Sequence, residues 1–266
     1  MTDLPLLRFP GLARFPGLEH AVSTRLGGVS VGPFASLNLS TSVGDDRANV
    51  EVNTQRLAAA LGVPREHFTT TWLVHSNRVV RADASHRGQM VAQADGVITD
   101  VPGLPLIQRY GDCAPILVYD PRRHAVGLAH AGWRGTVVGM ATALVEAMAA
   151  AFGSDPADMA ALVGPAIGPC CYEVGPEVAE AVRRAMPDAP HVLIQPAQVA
   201  RGAAASNGHR PHLDLWEANR WQLAQAGVGQ VEVAGLCTCC RRDLFFSHRG
   251  DGGRTGRFGA IAMLRR

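Results

Sequence analysis

The chain has 266 residues, of which 47% are hydrophobic and 18% are charged, so it can bury the core of one large domain or two small ones. Its formal net charge is only +2 and no basic run occurs, which argues against nucleic acid as a partner. All 25 basic residues are arginines, and the lack of lysine excludes Schiff-base catalysis and the P-loop lysine.

The N-terminal sequence has no basic segment followed by an apolar one, and no apolar run is long enough to span a bilayer. We therefore expect neither a secretory signal nor a membrane anchor. Six cysteines in a chain of this size favour thiols in a reducing compartment over a disulfide framework. The expected location is the cytoplasm.

In the N-terminal half, residues 21–47 start as a strand and continue as a Gly-, Ser- and Asn-rich loop. Apolar side chains within that loop (Phe34, Leu37 and Leu39) favour an ordered conformation. A helix is predicted over residues 49–61, ended by Gly62 and Pro64. Strand formers over residues 69–74 predict a strand that ends at His75. Shorter strands are predicted at residues 79–81 and 96–99.

The central segment contains two apolar runs, residues 116–119 and 125–129, separated by the turn-forming Asp120-Pro-Arg-Arg. If these runs pair as a hairpin, Cys113 and His130 lie at the same end of it. The Ala-rich residues 136–152 predict a helix that Gly153 ends. A thiol, an imidazole and a helix N-terminus would then share one small volume.

In the C-terminal half, strands are predicted over residues 159–163, 231–236 and 258–264, and helices over residues 177–186 and 214–226. Residues 197–212 are the best candidate for a mobile loop. Strands outnumber helices and alternate with them, and no repeat or linker divides the chain. We therefore predict one α+β domain over residues 1–266.

His75, Cys113 and His130 form the first candidate site, because each lies at the end of a predicted strand. One thiolate and two imidazoles suit Zn²⁺, and three protein ligands leave a fourth position open, as in catalytic sites. Their spacing is not diagnostic. The alternative is a small buried thiol with two hydrogen-bonded core histidines.

Five further cysteines form a second group: Cys170, Cys171, Cys237, Cys239 and Cys240. A C-x-C-C stretch can hold a metal, but adjacent cysteines do not easily share one tetrahedron. Packed free thiols are therefore the favoured interpretation, and burial is expected to make them poor nucleophiles.

Arginines next to glycines are the candidate anion contacts. Arg25 precedes Gly27-Gly28, and Asn38 follows in the same loop as a neutral donor. Residues 251–257 form an Arg- and Gly-rich stretch that suits phosphate or carboxylate, although a solvated hairpin turn is the simpler interpretation. Arg25 has the same alternative, namely the end of a strand with a surface ion pair.

Several motifs occur in one order along residues 20–264: Thr24-Arg-x-Gly-Gly-Val-Ser, Ser36-Leu-Asn-Leu, Val74-His-Ser-Asn-Arg-Val, Ala94-Asp-Gly-Val-Ile-Thr, Gly111-Asp-Cys-Ala-Pro, His130-Ala-Gly-Trp-Arg-Gly, Gly164-Pro-Ala-Ile-Gly-Pro-Cys-Cys-Tyr-Glu-Val, Cys237-Thr-Cys-Cys and Phe245-Phe-Ser-His-Arg. This arrangement closely resembles the polyphenol-oxidase or laccase-domain family, now generally regarded as zinc-dependent purine nucleoside phosphorylases.

The resemblance implies a layered α/β sandwich with mixed sheets, distantly similar to cysteine-hydrolase-like toxins. It implies zinc held by His75, Cys113 and His130, phosphorolysis of adenosine, inosine or methylthioadenosine, and deamination of adenosine. Two departures touch the ligands: the usual Gln-Val-His-Gly is Leu-Val-His-Ser here, and the usual Ala-Asp-Cys is Gly-Asp-Cys. Both are expected to affect substrate preference or metal access.

The expected substrates are a nucleoside and phosphate, with Arg25, Asn38 and Arg134 as candidate contacts. Asp112, beside Cys113, is a candidate proton carrier or supporting carboxylate, and an ordinary structural carboxylate is the alternative. The sequence leaves the oligomeric state open.

Three other functions remain open at this stage. The first is a copper-dependent polyphenol oxidase, which the lack of any His-x-His pair disfavours, although copper could substitute in the zinc site. The second is a hydrolase that uses Cys113 as nucleophile, for instance in cell-wall peptide editing. The third is a non-enzymatic metal- or nucleoside-binding protein.

Overall fold

The computed structural model describes residues 4–195 and 210–266. The described residues form fourteen strands and six α-helices. The strands are β1 (Leu6–Leu7), β2 (Leu18–Ser23), β3 (Thr70–Trp72), β4 (Val79–Arg81), β5 (Met90–Gln93), β6 (Gly96–Thr99), β7 (Leu106–Tyr110), β8 (Ala114–Asp120), β9 (Ala125–Ala131), β10 (Ala160–Val163), β11 (Leu193–Ile194), β12 (His212–Leu213), β13 (Gln230–Val233) and β14 (Phe258–Leu264). The helices are α1 (Pro10–Ala13), α2 (Arg47–Leu61), α3 (Trp133–Val137), α4 (Met140–Phe152), α5 (Pro176–Ala185) and α6 (Leu215–Gln225).

Two large sheets form the centre of the fold. The first is antiparallel, in the order β1-β2-β14-β7. The second has six strands in the order β13-β10-β8-β9-β6-β4, and its two outer pairs are parallel while the inner pairs are antiparallel. Two small sheets, β11-β12 and β3-β5, complete the set in the described chain.

The alternation of side chains along β8 shows how the layers pack. Ile116 and Val118 face a core shared with Leu144 of α4 and Leu223 of α6. Leu117 faces the opposite core, between the two large sheets. This period of two is the one that a strand buried on both faces must have.

A third core covers the outer face of the antiparallel sheet. Ile107 of β7 and Ile261 of β14 pack there against Leu57 of α2 and against Leu37 of the long loop. The layers therefore run α2, four-stranded sheet, six-stranded sheet, and α4 with α6. The predicted mixed α+β sandwich is confirmed, whereas its likeness to the cysteine-hydrolase-like toxins stays a prediction.

The central hairpin is confirmed. Strands β8 and β9 pair with Ala114 opposite Ala131 and Pro115 opposite His130. Cys113 directly precedes β8, so it lies at the same end of the hairpin as His130, as predicted.

The predicted helix over residues 136–152 is wrong in its N-terminal part. A short helix, α3, ends at Val137, and α4 begins only at Met140. The break lies at Gly139, whose φ of 81° is in the left-handed region that glycine tolerates and a helix interior does not. The helix N-terminus near Cys113 and His130 therefore belongs to the short helix α3 and not to one long helix.

The other helices begin and end close to their predicted positions, because local caps define them. The Asp46 side chain accepts a hydrogen bond from Ala48 N at the start of α2, and Gly62 ends that helix with a φ of 66°. Asp214 caps α6 through Glu217 N. The predicted strand over residues 231–236 ends earlier, at Val233.

Of the loop predicted over residues 197–212, residues 197–209 lie outside the part of the chain that the structure describes. Across the residues that the structure describes, we find no helix with the length and apolar character that a bilayer crossing requires.

Candidate active site

His75, Cys113 and His130 converge at one end of the central hairpin. Their ligand atoms, one from each side chain, all lie within 4.8 Å of one another. The two imidazole rings are tilted against each other with 5.1 Å between centroids. His75 reaches this point from the turn after β3 with a φ of 60°, an uncommon conformation for a residue other than glycine. The sequence-based prediction of convergence is confirmed.

Asp95, the residue directly before β6, holds two of these side chains in place. Its Oδ1 lies 3.1 Å from His130 Nδ1 and accepts a hydrogen bond from His75 N at 3.0 Å. Its Oδ2 accepts from Val74 N, Ser76 N and Ser76 Oγ at 2.7–3.2 Å. One fully buried carboxylate therefore fixes both the His75 turn and the His130 ring.

The protonation of this pair follows from the charges around it. Burial alone would raise the pKa of Asp95, but hydrogen bonds from His130 and Ser76 lower it to about 2, so the carboxylate is ionised. Burial alone would lower the pKa of His130, yet Cys113 and Asp95 together raise it to about 9. Because an ionised carboxylate only accepts, His130 Nδ1 carries the proton and Nε2 is the atom left for a ligand bond.

Gly132 makes room for the three ligands. A Cβ added there would lie 2.7 Å from Cys113 Sγ and 3.6 Å from His75 Nδ1, so any other residue would intrude on the site. The donor set, one thiolate and two imidazoles with one imidazole oriented by a carboxylate, is the set that Zn²⁺ favours. The residues present therefore fit a metal ion with three protein ligands.

Asp112 is positioned by hydrogen bonds on both carboxylate oxygens. Oδ1 accepts from Thr238 Oγ1 and Ser247 Oγ, each at 2.7 Å, and Oδ2 accepts from Arg249 N at 2.6 Å. Its φ of 94° places Cys113 at the site through a strained backbone conformation. These contacts give Asp112 a positioning role, and proton transfer by it stays an untested prediction.

The three ligands lie in a cleft of about 1100 Å³. Two guanidinium groups on the outer face of the antiparallel sheet, from Arg109 and Arg257, also line it. Arg109 donates to Leu39 O at 2.6 Å and Thr70 Oγ1 at 3.3 Å. Arg257 donates to the carbonyl oxygens of Thr255 and Gly256. Within the described chain, neither guanidinium lies within ion-pair distance of a carboxylate.

Burial lowers the pKa of Arg109 and of Arg257 from the usual arginine value. Cys113 and Asp112 partly offset the effect at Arg257, because their negative charges favour its cationic form. A guanidinium stays protonated in proteins despite such a shift. The cleft therefore presents two desolvated cations near the candidate metal ligands, which suits a small anion.

The structure places the predicted substrate contacts differently. Arg134 lines the cleft, with its guanidinium 4.4 Å from the Trp133 ring centroid. Arg25 does not line it: Nε donates to Ala35 O, and the side chain covers the Phe246 ring at 4.6 Å. The guanidinium of Arg25 thus has protein partners of its own and does not need a substrate to occupy its position.

Asn38 is completely buried and also lies outside the cleft lining. Its Oδ1 accepts from Arg257 N at 2.8 Å and from Ser40 N at 3.1 Å. Its Nδ2 donates to Ser40 O and to Asp45 Oδ2. Asn38 therefore positions Arg257 and Ser40, which do line the cleft.

Both departures from the family motifs have a structural consequence. Ser76, where glycine is usual, adds a hydroxyl donor to Asp95 at 2.9 Å. Gly111, where alanine is usual, lies against Arg257, since a Cβ there would be 2.8 Å from Arg257 Cδ. The smaller residue gives this guanidinium its place beside Cys113.

Sequence reasoning did not assign roles to Asp95 or Arg109, and it included Arg257 only as part of the 251–257 stretch that could contact an anion. Asp95 had a usable signal, because it stands alone between Ala94 and the buried strand β6, where a carboxylate needs several donors. Arg109 is an isolated cation within the mostly buried strand β7. Neither signal identifies the partner, which lies elsewhere in the chain.

The chain is similar to proteins of known description over nearly its whole length. Residues 19–265 match the profile of a family described as multi-copper polyphenol oxidoreductase laccase. A purine nucleoside phosphorylase of Deinococcus radiodurans is 41% identical over 263 residues, which cover 99% of this chain and 94% of that protein. The purine nucleoside phosphorylase YlmD of Geobacillus stearothermophilus is 40% identical over 256 residues, 93% of this chain and 90% of that protein. The crystal structure of YlmD from Geobacillus stearothermophilus superposes with a TM-score of 0.88 at 38% identity, covering 98% of this chain and 96% of that one.

Proposed function

The chain belongs to the multi-copper polyphenol oxidoreductase laccase family, and from this premise we propose that it is a zinc-dependent purine nucleoside phosphorylase. Relatives named purine nucleoside phosphorylase match it over more than nine-tenths of its length. The whole chain, residues 1–266, then serves as one catalytic domain. Its substrates are a purine nucleoside, namely adenosine, inosine or methylthioadenosine, and inorganic phosphate.

His75, Cys113 and His130 are the residues that hold the metal. Zn²⁺ bound by these residues would supply a Lewis acid to the reaction. Asp95 pairs with His130 Nδ1 and so leaves Nε2 as the ligand atom, and Asp112 holds the Cys113 loop against Thr238 and Ser247. Copper fits the same ligand set as a substitute.

Arg109 and Arg257 are the phosphate contacts in this proposal. In phosphorolysis a phosphate oxygen forms a bond to C1′ of the ribose while the C1′–N9 bond breaks. The electron pair leaves with the purine, which takes up a proton, and ribose 1-phosphate is the other product. Two guanidiniums with neutral partners bind and orient the phosphate dianion, because charge-assisted hydrogen bonds to arginine are stronger in a desolvated cleft.

The rest of the cleft suits a nucleoside. Trp133 and Tyr172 line it and offer flat apolar surfaces for a purine. Burial raises the pKa of Tyr172, so its hydroxyl remains a neutral hydrogen-bonding group at physiological pH. Deamination of adenosine is the second activity we propose: a water oxygen adds at C6 and ammonia leaves, with no phosphate needed.

The copper oxidase alternative is not favoured by the described residues. They contain two groups of three or more potential ligands, and only one of these groups includes histidine. A type-1 copper together with a trinuclear cluster requires many more converging histidines. The Cys113 hydrolase differs in a testable way, since a metal-bound thiolate is shielded from alkylation whereas a catalytic thiol is not.

The observation that carries the proposal is the convergence of the three ligands in a cleft that holds two guanidiniums with neutral partners. The test incubates purified protein with adenosine, with and without phosphate. Adenine and ribose 1-phosphate should form only with phosphate, and inosine should form in both cases. Cys113→Ala should remove both activities, while Cys239→Ser serves as a cysteine control outside the ligand set. Adenine formation that is independent of phosphate, or full activity of Cys113→Ala, would contradict the proposal.

A further inference from the structure

Four cysteines form a second cluster that is separate from the three ligands of the cleft. The Sγ atoms of Cys170, Cys171, Cys237 and Cys240 all lie within 4.8 Å of one another. Cys240 Sγ is 3.4 Å from both Cys170 Sγ and Cys171 Sγ. All six cysteines of the chain are free thiols in the structure.

These distances suit a metal better than a disulfide. A disulfide requires about 2.05 Å between sulfurs. Four thiolates around one Zn²⁺, each at about 2.3 Å, are about 3.8 Å apart in a tetrahedron. The two separations of 3.4 Å are close to this tetrahedral value, and all four sulfurs lie within 4.8 Å of one another.

The local backbone supports this arrangement. Cys237 and Cys240 have the C-x-x-C spacing of structural zinc sites, which the shorter C-x-C-C pattern obscures in the sequence. Cys237 Sγ accepts hydrogen bonds from Gly168 N at 3.3 Å and Cys240 N at 3.4 Å. These two N–H donors point at the sulfur and stabilise the thiolate form that a metal needs.

Adjacency of Cys170 and Cys171 is not an obstacle here. Both Cys171 N and Tyr172 N donate to Gly168 O at 3.0 Å, so the segment turns tightly at the pair. This turn brings both sulfurs to the same side, where each meets Cys240. The favoured sequence interpretation, separately packed thiols, did not include this turn.

We propose that Cys170, Cys171, Cys237 and Cys240 bind a second, structural Zn²⁺ ion, which fastens together the two loops that follow β10 and β13. The two strands are parallel neighbours, so these loops leave the sheet side by side, and Ala166 pairs with Cys237 beyond the strand ends. The second loop, residues 234–257, joins β13 to β14 without forming a helix or strand of its own. A loop of this length is rarely ordered unless something holds it.

The ion would also support the cleft. Thr238, between two of the four cysteines, donates to Asp112, and Arg249 from the same loop donates to Asp112 and to the Glu173 carbonyl oxygen. Tyr172, next to Cys171, lines the cleft. The proposed ion is thus linked to the Cys113 loop through a few hydrogen bonds, yet it touches no substrate.

Metal content of a small set of variants tests the proposal. Protein is purified under reducing conditions and its zinc is counted by mass spectrometry. We expect two ions per chain in the wild type, one in Cys113→Ala, one in Cys240→Ser and none in the double variant. Cys239→Ser, which changes a neighbour outside the four, should keep two. Equal zinc content in Cys240→Ser and wild type would overturn the proposal.

A spectroscopic measurement keeps the test decisive if Cys240→Ser fails to fold. X-ray absorption of zinc in Cys113→Ala reports only the remaining ion, and four sulfur neighbours at about 2.3 Å are expected. A Cys113→Ala protein without zinc, or with nitrogen or oxygen neighbours, would overturn the proposal. So would fewer than six titratable thiols in unfolded wild type, because the cluster would then hold a disulfide.

Discussion

The role of Asp95 leads to a quantitative prediction for Asp95→Asn. The change keeps the shape of the side chain but replaces one acceptor oxygen by an NH₂ group, which only donates. Oδ1 accepts from His75 N and His130 Nδ1, whereas Oδ2 accepts from Val74 N and from the N–H and hydroxyl of Ser76. The asparagine can therefore take two orientations with different costs.

With the NH₂ group at the Oδ2 position, the N–H groups of Val74 and Ser76 both lose their acceptor. With the NH₂ group at the Oδ1 position, only His75 N loses one, because His130 can move its proton from Nδ1 to Nε2. One unsatisfied buried donor costs about 1–3 kcal/mol, so the second orientation is the cheaper. It leaves His130 Nε2 protonated, and this atom is then unable to bind the metal.

For Asp95→Asn to bind the metal, His130 must therefore return its proton from Nε2 to Nδ1, or the asparagine must take the orientation with the higher cost. A penalty of about 1–3 kcal/mol corresponds to a roughly 5- to 150-fold weaker affinity, since 1.4 kcal/mol is a factor of ten. This range agrees with the 10- to 100-fold losses typical when a carboxylate behind a ligating histidine is removed.

The measurement is the zinc affinity of the His75, Cys113 and His130 site, determined by competition with a chromophoric chelator. The site is identified as the one whose zinc is missing in Cys113→Ala. Asp100→Asn is the matched control, because Asp100 follows the opposite end of β6 and pairs with Arg81 at the surface. An exposed pair of this kind contributes about 0–1 kcal/mol and touches no ligand. Unchanged zinc affinity in Asp95→Asn, or an equal loss in Asp100→Asn, would refute the reasoning.

Three further predictions concern the cleft and the sheet. Arg257→Gln should raise the phosphate KM of phosphorolysis at least tenfold and leave adenosine deamination within about twofold, because only the first reaction uses the anion. Gly132→Ala should abolish zinc binding at the cleft, since its Cβ would lie 2.7 Å from Cys113 Sγ. His20→Gln should flatten the pH dependence of unfolding: burial lowers the pKa of His20 to about 4, and its Nε2 accepts from Phe9 N as a neutral ring.

The sign of the His20 effect follows from linkage. The unfolded ring, with a pKa near 6.5, binds more protons than the folded one between about pH 6.5 and 4. The stability that neutral His20 contributes is therefore complete above pH 6.5 and is lost as the pH falls toward 4, by at most about 3 kcal/mol. Equal slopes of unfolding free energy for His20→Gln and wild type in this window would contradict it. For Arg257→Gln, equal losses in phosphorolysis and in adenosine deamination would contradict the prediction.

Much of the fold and the ligand set could be predicted because the signals are local. The two apolar runs around Asp120 are short, continuous and separated by a turn, so an antiparallel hairpin is the simplest solution, and it brings Cys113 and His130 together. The break at Gly139 was not predictable in the same way. The Ala-rich sequence after Gly139 favours a helix, and only the packing of α3 and α4 shows where the chain turns.

The anion contacts depend on strand order, which the sequence does not contain. Arg25 follows β2 and Arg257 precedes β14, and these strands are antiparallel neighbours, so the two arginines lie at the same end of one sheet. Strand β14 is next to β7, which leads to Gly111 and Cys113, whereas β2 lies one strand farther away. Both arginines adjoin glycines and look equivalent in the sequence. Strand β14 separates β2 from β7, so Arg25 lies farther from the cleft and donates to the Ala35 carbonyl oxygen instead. The missing Cβ of Gly111 lets Arg257 reach the cleft.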